Sequence, residues 1–305
     1  MAETTVSFGQ DLVWRAEAVS FDVLQAILKL LPIEATSAFG GWLCRTVGPL
    51  TRQQHIIRTN LRIAFPDKDE AWIARNVKGV WDNVGRSFIE LPFLHRIIAD
   101  PGRLEIVGRE RLIQIRDSGQ PVIFVSGHIG NWEGMSAALL AQGLDVMVAY
   151  RTANNPLVDE RIRHARAANG IRRFAPKDAG TMRRLLTALN QGVSLALLTD
   201  QRTEEGSPAP FFGKPAQTTP GAARLALKKN VPMIPVSMQR LPGVHFRFTV
   251  HDPIPHPNTG DADQDVLQMI TAMNASLEAA IRLEPSQYFW VHRRWPKSTY
   301  EKAQR

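Results

Sequence analysis

The sequence predicts an α/β fold with a mostly parallel central sheet flanked by helices. Three observations predict it. From about residue 120 onward, short apolar runs rich in β-branched residues recur, of the kind that form strands buried on both faces. Helical stretches lie between them at βαβ spacing, which favours parallel pairing. Before residue 100 no such run occurs, and the chain reads as helix alone.

The first helical segment, residues 15–31, is amphipathic. Phe21, Leu24, Leu28 and Leu31 form a stripe widened by Val23, Ile27 and Leu30, with Asp22, Gln25 and Lys29 opposite. Such a helix either packs on the domain or lies flat on a bilayer. Breaks are expected at Pro32, the Gly40-Gly41 pair, Pro49 and Pro66. Residues 70–97 read as one helix interrupted near Pro92. Strands are expected at 122–125, 144–150, 193–199, 231–238 and 245–250, and helices at 132–142, 159–168, 180–189, 220–229 and 264–283. Asn190-Gln191-Gly192 closes one helix and Pro220 opens the next. The chain therefore divides into a helical region, 1–100, with a membrane-docking helix, and an α/β catalytic region, 101–305.

The formal charge of +8 favours an anionic partner, whether nucleic acid, anionic lipid or acidic protein. A single cysteine, Cys44, excludes an intramolecular disulfide and suits a reducing compartment; it reads as a structural thiol. No window reaches the roughly 18 apolar residues of a spanning helix. The N-terminus, with Glu3 and no basic run, does not read as a secretory signal.

Ligands of open α/β sheets sit beyond the carboxyl ends of the strands. The predicted strand at 122–125 runs into Ser126-Gly127-His128-Ile129-Gly130-Asn131-Trp132-Glu133. With His128 in the loop and Glu133 in the first turn of the next helix, the carboxylate reaches back to fix the imidazole tautomer. The other ring nitrogen is then free to act as a base. Rival chemistries fail. Phe124 occupies the first glycine position of a G-x-S-x-G elbow, no H-E-x-x-H occurs, and neither a Walker loop nor a G-x-G-x-x-G is present. Asp261, Asp263 and Asp265 imitate a calcium loop, but Val266 and Ala272 replace its glycine and glutamate. Without a candidate nucleophile, direct attack by an acceptor hydroxyl is preferred to an acyl-enzyme.

Residues 127–133 resemble the H-x4-D/E motif of glycerolipid acyltransferases. More specifically, the chain resembles the late lauroyl or myristoyl transferases of lipid A biosynthesis. Five further blocks agree in order: Asn60 to Pro66, Trp81 to Arg86, Tyr150 to Pro156, Asp200-Gln201-Arg202 with Phe211 to Ala216, and Trp290 to Trp295. The resemblance as a whole runs from about residue 20 to 297, nearly the whole chain. The resemblance implies an acyl-carrier-protein thioester as donor and a hydroxyacyl chain of a Kdo-bearing lipid A precursor as acceptor. It implies no metal or bound cofactor, no nucleic acid partner, and work at inner-membrane lipids on the cytoplasmic face. It makes His128 the base, Glu133 its partner and Arg151 an oxyanion or phosphate ligand. Substrate contacts are implied at Asn131, Asn154, Asp200, Arg202, Phe212, Gly213, Arg293 and Arg294. Each has an ordinary reading beside it. Arg151 could be a surface arginine, Asp200 a turn cap or the partner of an arginine, Phe212 plain core, and Arg293 and Arg294 a solvated tail. Acceptors such as a lysophospholipid or another glycolipid stay open, as does a non-catalytic basic protein that binds membrane or nucleic acid.

Overall fold

In the computed structural model, which describes residues 7–303, helices come first: α1 (Phe8–Lys29), α2 (Ile33–Val47), α3 (Gln53–Ala64), α4 (Glu70–Glu90) and α5 (Leu94–Ala99). Glu3 and its neighbours, which argue against a secretory signal, lie outside the described residues. The alternating region then runs β1 (Leu104–Val107), α6 (Arg109–Ser118), β2 (Ile123–Ser126), α7 (Trp132–Ala141), β3 (Val146–Tyr150), α8 (Pro156–Ala168), β4 (Arg173–Pro176), α9 (Thr181–Asn190) and β5 (Ser194–Leu198). It continues with β6 (Ser207–Phe211), β7 (Lys214–Thr218), α10 (Gly221–Lys229), β8 (Met233–Leu241), β9 (His245–Val250), α11 (Ala262–Leu283) and α12 (Lys297–Ala303).

The main sheet has the order β1-β9-β8-β2-β5-β3-β4. Strands β8, β2, β5, β3 and β4 are mutually parallel, while β9 pairs antiparallel to β8 and carries β1 with it. The expected mostly parallel sheet is present. Its faces follow from alternation along β2. Ile123 and Val125 join Leu195, Leu197, Met233 and Ile270 on one face. Phe124 belongs to the other, which merges with Leu61, Ile73, Val80, Trp290 and Trp295. One apolar core thus runs from the N-terminal helices through to the C-terminal segment.

Two edge strands, β1 and β4, were not expected. Both are short and carry charged residues at exposed positions, so neither shows the apolar run that marks the central strands. The hairpin β6–β7 was also unforeseen, because prolines at 208, 210 and 215 argue against strand. Its turn, Phe212-Gly213, has positive φ at both residues (50° and 68°), as a two-residue hairpin requires.

The Gly40-Gly41 pair does not break helix α2. A Cβ on Gly85 would lie 2.0 Å from the Gly40 carbonyl oxygen, so α2 and α4 pack backbone against backbone there. These glycines permit close helix packing rather than a turn.

Helix α1 is longer than its amphipathic stretch suggested, and it is fastened to α8. Asn155 donates to the Trp14 carbonyl (3.0 Å) and to Glu17 (2.8 Å), and Arg161 grips both oxygens of Asp22. Its apolar stripe is covered only in part: Leu28 is buried in the core, while Val19, Val23, Ile27 and Leu30 are all more than half exposed. Trp42 and Val47 on α2 and Leu50 beyond it are also exposed. Among the described residues, no helix is long and apolar enough to cross a membrane.

Candidate active site

Strand β2 ends at Ser126 and β5 at Leu198, and these two residues are in register. Two residues farther along each strand stand His128 and Asp200, which therefore face each other. Asp200 accepts from the His128 backbone amide through Oδ2 (2.9 Å), and Oδ1 lies 2.7 Å from Nδ1 of the same ring. A buried carboxylate at that distance takes the Nδ1 proton as its hydrogen bond, which leaves Nε2 as the acceptor. Burial pushes the Asp200 carboxyl up. The His128 charge, its ring and amide hydrogen bonds, and the nearby Arg294 outweigh that and hold it well below the usual carboxylate range. Asp200 is thus ionised at any working pH, as a group that orients an imidazole and stabilises its protonated form must be.

This corrects the expectation that Glu133 orients the ring. Asn131 caps α7, so Glu133 sits in the first turn. There it points to α8 and forms a two-pronged pair with Arg166 (2.9 and 2.6 Å). The carboxylate on His128 comes instead from the neighbouring strand. The equal offsets of His128 and Asp200 from paired strand ends were the available signal, readable only once the strand order was known.

The ring is enclosed by aromatic groups. Trp132 and Phe289 lie 5.5 and 5.7 Å from it, Phe88 meets Trp132, and His292 is edge-on to Phe289. Tyr288 is buried beside Asp200. Burial first, and then that negative charge, push its phenol well above the usual range, so it stays protonated. Beyond Trp132 opens a narrow cavity between α7 and the sheet. Phe124, Met135, Leu139, Val148, Tyr150 and Leu198 supply its apolar lining, with the Glu133–Arg166 pair as its main polar feature.

Positive charge gathers at the next strand ends. Arg151 follows β3 and Lys177 follows β4, strands paired up to Tyr150 and Pro176. Lys177 donates its amide to the Tyr150 carbonyl (2.9 Å). Arg151 is exposed and forms no ion pair among the described residues. Desolvation pushes Lys177 below the usual lysine range, Arg151 adds to this, and Asp200 opposes it. His292 is likewise lowered, first by desolvation and then by the charges on His128 and Arg151. Arg151, Lys177 and His292 thus share the electrostatic field of the His128–Asp200 pair.

The remaining expected contacts divide. Asn131 is 1 % exposed, caps α7 and donates to Glu90, so it faces protein rather than a cavity. Asn154 is exposed, and it is its neighbour Asn155 that caps α8. Arg202 pairs with Glu204. Phe212 is core, packed on Phe65 and Trp290 under the Arg282 guanidinium, and Gly213 completes its turn. Arg294 is not a solvated tail. It is 2 % exposed, lies over Phe211 and donates to Gln217, Thr218 and Asn274, so internal contacts stand where a substrate contact was expected. Arg293 stays exposed over Tyr300. Lys177, Phe289 and Tyr288 were not expected from sequence; their strand-end and C-terminal positions become meaningful only in the fold.

Residues 19–297 match the model of the bacterial lipid A biosynthesis acyltransferases. The chain is 24 % identical to the lipid A biosynthesis lauroyltransferase of Escherichia coli K12 over 254 residues, covering 81 % of this chain and 80 % of that one. It is also 24 % identical to the lipid A biosynthesis acyltransferase of Haemophilus influenzae over 279 residues, with 87 % and 83 % covered. The lipid A biosynthesis palmitoleoyltransferase of Escherichia coli K12 is 25 % identical over 261 residues, with 81 % and 79 % covered. With a strand-end imidazole, its carboxylate and an apolar cavity in one place, and a family match along nearly its whole length, the chain belongs to the bacterial lipid A biosynthesis acyltransferase family.

Proposed function

We propose that the protein moves a fatty acyl chain from an acyl-carrier-protein thioester to the hydroxyl of a hydroxyacyl chain on a Kdo-bearing lipid A precursor. The reading is carried by the His128–Asp200 pair, which opens beside an apolar cavity. The cavity takes the acyl chain, with the thioester carbonyl left near Trp132. Nε2 of His128 removes the proton of the acceptor hydroxyl, whose oxygen attacks the carbonyl carbon. Collapse of the tetrahedral intermediate breaks the C–S bond, and the proton passes from His128 to the departing thiolate. Arg151 and backbone amides are the candidate donors to the oxyanion. The amides of residues 128–130 already donate, to Asp200, Gly127 and Gln287 respectively. Positive side chains, Arg151 with Lys177 beside it, therefore stabilise the oxyanion. No metal or bound cofactor enters this scheme.

The charge of +8 suits an acidic carrier and an anionic membrane surface. The exposed apolar residues of α1 and α2 suit docking on inner-membrane lipids from the cytoplasmic side. The test is direct. Purified protein is incubated with a panel of acyl-carrier-protein thioesters and either the Kdo-bearing precursor or a lysophospholipid, and products are weighed by mass spectrometry. A gain of one acyl chain on the precursor alone supports the proposal. Gain on the lysophospholipid alone, or transfer that survives His128→Ala, overturns it.

A further inference from the structure

The loop bearing His128 is held from behind by buried polar groups that touch no cavity of the site. Gly130 has φ +58°, and a Cβ there would lie 1.9 Å from the Met238 carbonyl oxygen, so the loop is pressed onto β8. Its carbonyl accepts from Asn83 Nδ2 (2.9 Å) and Ser87 Oγ (3.0 Å). The next residue, Asn131, donates to Glu90 (2.7 Å). Asn83, Ser87 and Glu90 share one face of α4, and all three are buried. Arg240, from the end of β8, joins them. It holds both oxygens of Glu90 (2.6 and 2.9 Å) and donates to the side-chain oxygen of Asn83, Oδ1 (3.0 Å). The Arg240 backbone exchanges two hydrogen bonds with the Gln287 side chain, while the Gln287 carbonyl receives Gly130 N and Asn83 Nδ2.

We propose that Asn83, Glu90 and Arg240 are positioning residues: a buried clamp that fixes Gly130 and Asn131 and thereby keeps the His128 ring on Asp200. Leaving charge and amide groups in a protein interior is costly unless they are fully partnered. Here the partners of the network include the two residues that follow His128 and Ile129. Asp200 holds the imidazole at one end and its own backbone holds it at the other, so its aim depends on where this backbone stands. The inference rests on the base role proposed for His128.

The test compares wild type with Glu90→Gln and Asn83→Asp, both nearly isosteric. Glu90→Gln replaces an acceptor by a donor facing Arg240 or Asn131, and Asn83→Asp sets a carboxylate against two carbonyl oxygens. Each is expected to lower kcat by about 100-fold, as small displacements of a catalytic group do, with KM for donor and acceptor within about two-fold. Rates are taken per folded molecule, with the folded fraction from circular dichroism. Independently of turnover, NMR of histidine-labelled protein follows the proton between His128 Nδ1 and Asp200, whose resonance is expected to shift or broaden in both variants. Unchanged kcat, a loss matched by the folded fraction or by KM, or an unchanged proton resonance overturns the clamp. An inactive wild type, or an active His128→Ala, instead overturns the base role and is told apart by that control.

Discussion

Replacing Asp200 with asparagine separates the two carboxylates that compete for the role of His128's partner. Asp200 accepts two hydrogen bonds, 2.9 Å from the His128 amide and 2.7 Å from Nδ1. Asparagine has one oxygen for both. The backbone N–H can only donate, so the amide oxygen stays with it and the NH2 group faces the ring. Nδ1 must then accept, and the proton moves to Nε2, where the base is needed. The charge that stabilises the protonated ring in the transition state is lost as well. Together these predict a fall in kcat of about 10³ to 10⁴-fold, or roughly 4 to 5.5 kcal/mol of barrier. Glu133→Gln breaks only the Arg166 pair, whose side chains are 13 % and 18 % exposed. It should cost about 1–3 kcal/mol of stability and less than about ten-fold in kcat. The assay is thiol release from the acyl thioester with mass-spectrometric detection of the acylated acceptor. A ten-fold or smaller effect of Asp200→Asn beside a thousand-fold effect of Glu133→Gln would refute the assignment. The pH dependence has a definite sign. The folded pKa of Asp200 lies below its unfolded value, so its stabilisation is complete above the ordinary carboxylate range and is lost as pH falls through the folded value. Between about pH 5 and 8, protonation of Asp200 should add nothing to the acid limb of kcat.

Three further outcomes are expected. Leu139→Trp, which fills the cavity under α7, should shift the product mass distribution toward shorter acyl chains, each methylene being worth about 1–3 kcal/mol of discrimination. Gly85→Ala should lower the thermal midpoint, because its methyl group meets the Gly40 carbonyl; the cost is about 1–3 kcal/mol by calorimetry. Val23→Glu with Ile27→Glu, on the uncovered face of α1, should weaken co-sedimentation with anionic vesicles while leaving circular dichroism unchanged.

The sequence made the central strands legible because they are buried on both faces and so spell continuous apolar runs, as in Ile123 to Val125. It hid β1 and β4 because an edge strand needs little apolar surface, and hid β6–β7 because proline is tolerated in short peripheral strands. His128 was legible from its position after a strand. Its partner was not, since Glu133 is five residues away in the chain while Asp200 is 72, and only the β2–β5 pairing brings the latter close. The ordered blocks that carried the family resemblance include residues that serve the architecture. Asn60 holds the Trp290 and His292 carbonyls, Asn83 holds Gly130, and Arg294 is locked among Gln217, Thr218 and Asn274. Such blocks hold internal clamps beside any substrate contacts.

The segment after α11 has a bearing on how the molecule comes into being. Phe289 donates its amide to the His128 carbonyl, Ile129 and Tyr288 form a bridge, and Gln287 receives Gly130, so one wall of the site is supplied by residues that leave the ribosome after the whole sheet. Asn60 and Asn83, made among the first hundred residues, wait for carbonyls more than 200 positions later. Contacts this distant in sequence form late in folding. A nascent chain stalled before this segment would carry a finished sheet and an unfinished imidazole loop.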